Sequence, residues 1–186
     1  MSGEILSRCY YLSKQQVKNM IPRNLYDSDH EMFRDSVRKF IEVEAVPHHD
    51  QWEKDGMVSD EVWLKAGEQG FLGLAVPEEF GGVNADFRYN CILNEEIARS
   101  GCTGLGWTLH NDISVPYIVR YGSDFQKKKY LPRCASGELI TAIAMTEPAA
   151  GSDLQGTKTT AVLDGDHYSL NGSKTFITNG QKAGLV

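Results

Sequence analysis

Leu139-Ile140-Thr141-Ala142-Ile143-Ala144-Met145 is the stretch at which the chain changes its period. Before it, apolar side chains recur at spacings of three and four. Within it they form a compact, partly β-branched run, and strand-like segments follow. The fold class read from this switch is α+β: an antiparallel helical part, then an antiparallel β part. Just upstream, Ser123-Asp124-Phe125-Gln126 has capping-box spacing and predicts a helix from Asp124 to about Ala135, closed by Ser136-Gly137. Trp107 to Tyr121 is helical in character, with Pro116 in a first turn or at a kink. Phe87 to Arg99 is a helix ended by Ser100-Gly101. Ser59 to Gln69 is another, with Val62, Trp63 and Ala66 facing inward and Gly70 as its left-handed terminator. From Ser28 to Ala45, the side chains of Phe33, Val37, Phe40, Ile41 and Ala45 share one face. Ser28 and Glu31 match the capping box there, and Pro47 stops the helix at Val46. Phe71 to Pro77 reads as a buried connector. Five helices joined by short loops favour antiparallel neighbours.

Downstream, Thr157 to Leu163, His167 to Leu170 and Lys174 to Thr178 read as strands, with Asp164-Gly165 and Asn171-Gly172 as hairpin turns. Such a meander leaves unpaired edges, so the β part reads as incomplete and the chain as truncated. The division that follows is a flexible N-terminal segment 1–27, a helical domain 28–137 and a partial β domain 138–186. Residues 1–26 carry Arg8, Lys14, Lys18 and Arg23 against Glu4 alone, a bias shared by organellar transit peptides and by solvated termini.

Nineteen Lys and Arg against twenty-five Asp and Glu give a net charge of -6, which argues against a nucleic-acid binder that relies on a dense basic surface. No apolar run approaches the roughly 18 residues of a membrane span. Cys9, Cys91, Cys102 and Cys134 stand too far apart for a CxxC pair and read as free thiols in a reducing compartment. His48-His49-Asp50 reads as a solvated extended loop rather than a set of metal ligands, and no metal is expected. Gly101-Cys102-Thr103-Gly104-Leu105-Gly106 has its glycines in the wrong order for a dinucleotide fingerprint.

The chemistry gathers in Ala144-Met145-Thr146-Glu147-Pro148-Ala149-Ala150-Gly151-Ser152-Asp153-Leu154-Gln155-Gly156, where a buried strand opens into small residues. Gly151 and Gly156 let backbone amides approach a ligand, Ser152 adds a hydroxyl, and Pro148 stiffens the approach. On the residues alone, an anion cradle and a plain strand-to-loop connection both fit.

This segment resembles the T-E-P-x-x-G-S-D signature of the acyl-CoA dehydrogenases, flavoproteins that introduce an α,β double bond into fatty acyl thioesters. Asn171-Gly172-Ser173-Lys174-Thr175-Phe176-Ile177-Thr178-Asn179-Gly180 resembles their second motif, N-G-x-K-x-[WF]-I-[TS]-N-[GA]. Gly70-Phe71-Leu72-Gly73, Pro77-Glu78-Glu79-Phe80-Gly81-Gly82 and Gly122-Ser123-Asp124-Phe125-Gln126-Lys127 are similar to the family's N-terminal domain. The wording at Phe33-Arg34 to Val43, Pro47-His48-His49 and Trp52-Glu53-Lys54 is closest to the long-chain-specific branch.

The resemblance implies FAD as cofactor, bound by Ile143, Ala144, Met145, Thr146, Gly151, Ser152, Phe176, Ile177 and Thr178. It places the Thr146 hydroxyl toward the reactive edge of the flavin and brings Ser152 to the acyl-CoA substrate as well. Phe176 stands where the family more often has Trp, which keeps an apolar face and loses an N–H donor. The family's catalytic base is a carboxylate on a C-terminal helical domain missing from these residues, so the resemblance gives this chain no catalytic residue. Glu147 is expected to hold its loop through backbone donors. The implied activity is FAD-dependent α,β-dehydrogenation of fatty acyl-CoA in mitochondrial-type β-oxidation. The implied partners are fatty acyl-CoA, an electron-transfer flavoprotein and, at full length, further copies in a homo-oligomer. The implied location is the mitochondrial matrix in a eukaryote and the cytoplasm otherwise. Two alternatives stand beside it: a truncated, non-catalytic binding or interaction module of the same fold, and an acyl-CoA oxidase.

Overall fold

In a computed structural model of the protein, residues 24–186 are described. The transit-like run and Cys9 lie outside them, as does the expected N-terminal segment up to residue 23. The first helix, α1 (Ser28–Phe40), is capped one residue earlier than the Ser28/Glu31 spacing predicts. Asp27 is extended, so its carboxylate reaches the amides of Asp29 and His30 and lies 2.6 Å from His30 Nδ1, which donates to it.

Pro47 does not end this helix. A π turn, Ile41–Ala45, leads directly into α2 (Val46–Asp55), which closes at left-handed Gly56. The reason is local. Proline has no N–H to offer and its ring crowds the preceding turn, so the helix widens by one residue and the Val46 amide reaches back five residues to Ile41 O. His48-His49-Asp50 is therefore helical, not an extended loop. His49 is buried and its Nε2 accepts from the Gly104 amide at 3.3 Å. The same device recurs further on: α5 (Trp107–Leu109) passes through a π turn, His110–Ser114, into α6 (Val115–Tyr121), with the Val115 amide on His110 O just before Pro116. A Val-Pro pair that would break a regular helix is absorbed in both rods.

The remaining helices are α3 (Asp60–Glu68, capped by Ser59), α4 (Phe87–Ser100, capped by Asp86 and closed by left-handed Gly101) and α7 (Asp124–Ala135). In α7 the Ser123/Gln126 capping box is complete. Among the described residues five helical rods result, as the sequence predicts, and the first runs on from the expected end at Val46 to Asp55, about two and a half turns further. Val37, Ile41, Ala45, Val62, Trp63, Ala66, Leu93, Leu105 and Trp107 form the main core, with Trp63 and Trp107 edge to face at 6.3 Å. Ile140 belongs to the same core, so the β part is anchored in helical packing from its first residues. α3 is seated against the turn after α7 by two glycines. A Cβ at Gly67 would lie 2.1 Å from Ser136 O, and one at Gly137 would lie 2.3 Å from Trp63 O.

The β part is smaller than expected. Only β1 (Thr160–Asp164) and β2 (His167–Asn171) pair, antiparallel, across the two-residue turn Gly165-Asp166. Leu139 to Met145 is not a strand; it makes a single parallel bridge, Thr141 to Leu185. Lys174 to Thr178 is not a strand either, because Phe176 turns to φ +55° and interrupts the extended course. Asn171-Gly172 accordingly ends β2 without forming a hairpin.

A buried carboxylate gathers the ties between α1 and α4. Glu96, 2% exposed, accepts from Arg34, Arg38 and Arg99 at 2.7–3.1 Å. Burial by itself raises its pKa, but the hydrogen bonds from Arg38, Arg99 and Arg34 outweigh that and hold it at about 2. Glu96→Gln is expected to lower the unfolding free energy in urea by about 2–3 kcal/mol. That is toward the lower end of what breaking a buried ion pair costs, because Arg38 and Arg99 remain partly in water.

Candidate functional site

The two motif segments lie beside one another. The Thr175 amide donates to Thr146 O at 3.0 Å, and Lys174 Nζ donates to Met145 O at 3.1 Å. At the other end, Asn179 Nδ2 donates to Thr141 O at 3.2 Å. Contacts at 146/175 and 141/179 run in opposite chain directions, so residues 142–145 and 176–178 are pinned alongside each other, antiparallel, without a β ladder.

Glu147 closes one end of this arrangement. It is buried, and its carboxylate accepts from the Lys158 amide at 2.7 Å, the Thr159 amide at 2.9 Å and Lys174 Nζ at 2.9 Å. Residues 147 and 150 also exchange both backbone hydrogen bonds, which fixes the Pro148-Ala149 bend. Hydrogen bonding from Thr159, then from the Lys158 amide and from Lys174, holds the Glu147 pKa at about 2. A carboxylate fully engaged by donors is a brace, and its basicity is too low to take a proton from carbon near neutrality.

The sequence-derived site residues separate into two kinds. Ile143, Ala144, Thr146 and Ile177 are half-buried, whereas Met145, Gly151, Ser152, Phe176 and Thr178 are exposed, Phe176 at 92%. Together they present hydroxyls at Thr146, Ser152 and Thr178 beside apolar faces at Met145 and Phe176. This donor set suits a flat aromatic group with a polar edge. Space at Gly151 is open: a Cβ there would meet nothing within 4 Å. Gly156 is different, since a Cβ there would lie 2.9 Å from Asp153 Oδ2, and that carboxylate opposes an anion cradle at this end of the loop. The residues form an open wall rather than an enclosed pocket. Ile143 borders a cavity of about 390 Å³ shared with Ser114, Tyr117, Ile118 and Leu185. Ile177 borders a separate one of about 260 Å³ with Trp63 and Gly104.

Sequence reasoning missed four residues of this region. Lys174 and Asn179 lie inside a quoted motif but were assigned no role there. His110 and Thr141 carried no signal, since a histidine within an apolar helix and a threonine within an apolar run look like filling. His110 is fully buried, with Nε2 3.1 Å from Cys134 O and Nδ1 2.9 Å from Thr141 Oγ1 and 3.3 Å from its amide. Burial lowers its pKa to about 4, partly offset by the bond to Cys134.

The acyl-CoA dehydrogenase N-terminal domain model matches residues 27–138 and the middle domain model matches residues 142–186. The chain belongs to the acyl-CoA dehydrogenase family. It is 52% identical over 164 residues to the mitochondrial long-chain specific acyl-CoA dehydrogenase of Sus scrofa, covering 88% of this chain and 38% of that protein. The crystal structure of an acyl-CoA dehydrogenase from Geobacillus kaustophilus is similar at a TM-score of 0.84 and 55% identity, over 88% of this chain and 43% of that one. An acyl-CoA dehydrogenase from Bacillus anthracis, solved in complex with FAD, is similar at a TM-score of 0.77 and 37% identity, over 90% of this chain and 29% of that one. The chain thus spans about two-fifths or less of the length of these relatives.

The two perturbed groups set a pH dependence. His110 is held neutral in the fold, so the unfolded chain takes up its proton first, and stability falls as pH drops from about 6.5 to about 4. Glu147 has a lowered pKa, so its contribution is complete above pH 4.5 and is lost as pH falls toward about 2. Urea unfolding measured from pH 8 to pH 2 is expected to show both declines. Glu147→Gln should leave the upper one intact, weaken the lower one without abolishing it, since Glu96 titrates there too, and speed exchange of the Lys158 and Thr159 amides.

Proposed function

We propose that this chain supplies the N-terminal helical domain, residues 28–137, and the first part of the β domain, residues 138–186, of an FAD-dependent acyl-CoA dehydrogenase. The reaction is the α,β-dehydrogenation of fatty acyl-CoA thioesters. The observation that carries this reading is the antiparallel pinning of the two motif segments through Thr146 and Thr175, which puts Ile143, Ala144, Met145 and Thr146 alongside Phe176, Ile177 and Thr178. FAD, when bound, supplies the acceptor for the hydride that leaves the substrate β-carbon.

The chain's own residues bind and orient. Thr146 and Thr178 offer hydroxyl donors to the polar edge of the ring system, and such donors favour the state with added electron density. Phe176 and Met145 cover its apolar face, and Gly151 leaves room for a backbone amide to approach. Ser152, exposed at the mouth of the loop, reaches the acyl-CoA ligand. None of these groups serves as a base for the α-proton, and Glu147 is committed to its loop. Turnover therefore draws its base from the helical domain that the family carries after the β domain. Fatty acyl-CoA as substrate, an electron-transfer flavoprotein as electron acceptor and assembly into a homo-oligomer at full length belong to the same reading. The mitochondrial matrix is the location in a eukaryote, in keeping with the mitochondrial relative from Sus scrofa, and the cytoplasm otherwise.

Titration of the chain with FAD, followed by quenching of flavin fluorescence, tests the wall. Thr146→Val with Ser152→Ala is expected to weaken binding by about tenfold or more, the loss of one or two hydrogen bonds, and unchanged affinity would overturn the assignment. A dye-linked dehydrogenation assay on the chain alone is expected to show no turnover. Clear turnover would mean that a base within these residues has been overlooked.

A further inference from the structure

Four hydrogen bonds make a closed circuit at the junction between the helical and β parts. Asn179 Nδ2 has two protons and two acceptors, Gly106 O and Thr141 O, each at 3.2 Å. The amide and hydroxyl of Thr141 both face His110 Nδ1, and His110 lies four residues after Gly106 on the same rod. A carbonyl only accepts, so the contact to Cys134 O places the ring proton on Nε2 and leaves Nδ1 bare to receive Thr141. Gly106 makes room for the circuit: at φ +72° it brings its backbone so close that a Cβ would stand 2.2 Å from Asn179 Oδ1. This accounts for one glycine of the 101–106 run, which is filled by the chain's own amide rather than by a phosphate.

We infer that Asn179, seated by His110 through Thr141, is a positioning residue that fixes the spacing between the two loops of the candidate flavin wall. The inference rests on the reading of those loops as a flavin wall for its purpose, and on the circuit alone for its geometry. The segment 176–178 is held at one end by Lys174 and Thr175 and at the other by Asn179. Of these, only Asn179 ties it to the rigid helical core. Without that tie, the second motif keeps its contacts with the first and the anchors beyond it, Lys182 on Asp60 of α3 and the Gly184 amide on Ile140 O, while residues 176–178 lose their nearest tether to the helices. The contact between Thr175 and Thr146 then opens more often, because residues 176–179 are no longer held to the helical core next to it while the first loop stays anchored through Ile140.

Three variants separate positioning from a merely structural role. Asn179 has φ +64°, so Asn179→Gly removes the side chain while easing the backbone, and Asn179→Asp keeps the shape while turning the donor into an acceptor facing two carbonyls. Thr141→Val removes one hydroxyl from His110 and leaves the amide bond in place. Amide exchange in the chain without flavin is expected to accelerate about tenfold or more at Thr175 in both Asn179 variants, as for loss of one or two hydrogen bonds. The amides of Ile92 and Leu93 in α4 should not change. The imidazole ¹⁵N spectrum should show His110 with Nε2 protonated and Nδ1 bare from pH 5 to 8, and Thr141→Val should shift the Nδ1 resonance alone. Wild-type exchange at Thr175 in Asn179→Gly would overturn the inference, because the residue would then serve only its backbone conformation. Protonation at Nδ1 would overturn it too. If the variants also weaken FAD binding by about tenfold, the spacing matters for the cofactor. If the unaltered chain does not bind FAD, the proposed function falls, and the exchange result decides the positioning role by itself.

Discussion

A fully buried imidazole needs a partner at each nitrogen, and at His110 the chain meets that need with groups from the end of the last helix and the start of the β part, both far from it in sequence. Cys134 supplies a carbonyl at the end of α7, and Thr141 supplies an amide and a hydroxyl at the start of the β part. Leaving either nitrogen unpaired costs more than the bond itself gains, because the interior offers no water in exchange. The direction in which the chain leaves the helical bundle is thereby set. Everything downstream inherits it, from the Thr146 loop to the segment bearing Phe176.

Magnitudes divide the labour between packing and polar contacts. Trp63, Trp107, Leu72, Leu74 and Leu93 are each almost wholly withdrawn from water, and each contributes on the order of 2–3 kcal/mol of hydrophobic stabilisation. A neutral hydrogen bond nets about 1 kcal/mol. The core therefore decides whether the chain folds, and the polar junctions decide which loops end up facing each other. Glu147 and Asn179 act at opposite ends of the same pair of segments, one through charge and the other through a neutral amide.

Helices were the legible part because their signals are local. Ser59 and Ser123 cap where they stand, Gly70 turns left-handed as expected, Gly101 ends its helix, and the 3.6 period marks Val62, Trp63 and Ala66 correctly. Pro47 misled because its effect depends on whether the preceding turn can widen, which no property of the dipeptide reveals. The strands were less legible. Lys174 to Thr178 has strand composition, yet a strand is defined by its neighbour, and among the described residues this segment meets loop contacts instead of a ladder. At the site, the small-residue loop and the aromatic segment could be read from residue types. His110 and Thr141 could not, because their role exists only once two distant stretches have met.

The two widened turns have a consequence for the reading frame of each rod. An i→i−5 turn adds one residue to a helix, which rotates everything after it by about 100° relative to an uninterrupted α-helix. α2 therefore presents His49 to the interior, and α6 presents Val115, as a result of that added residue. The extra residue acts as a phase shifter. A one-residue deletion between 41 and 45 would carry a regular helix into Pro47 and swing the buried stripe of α2 toward solvent, whereas the same deletion in an exposed loop would pass with little effect.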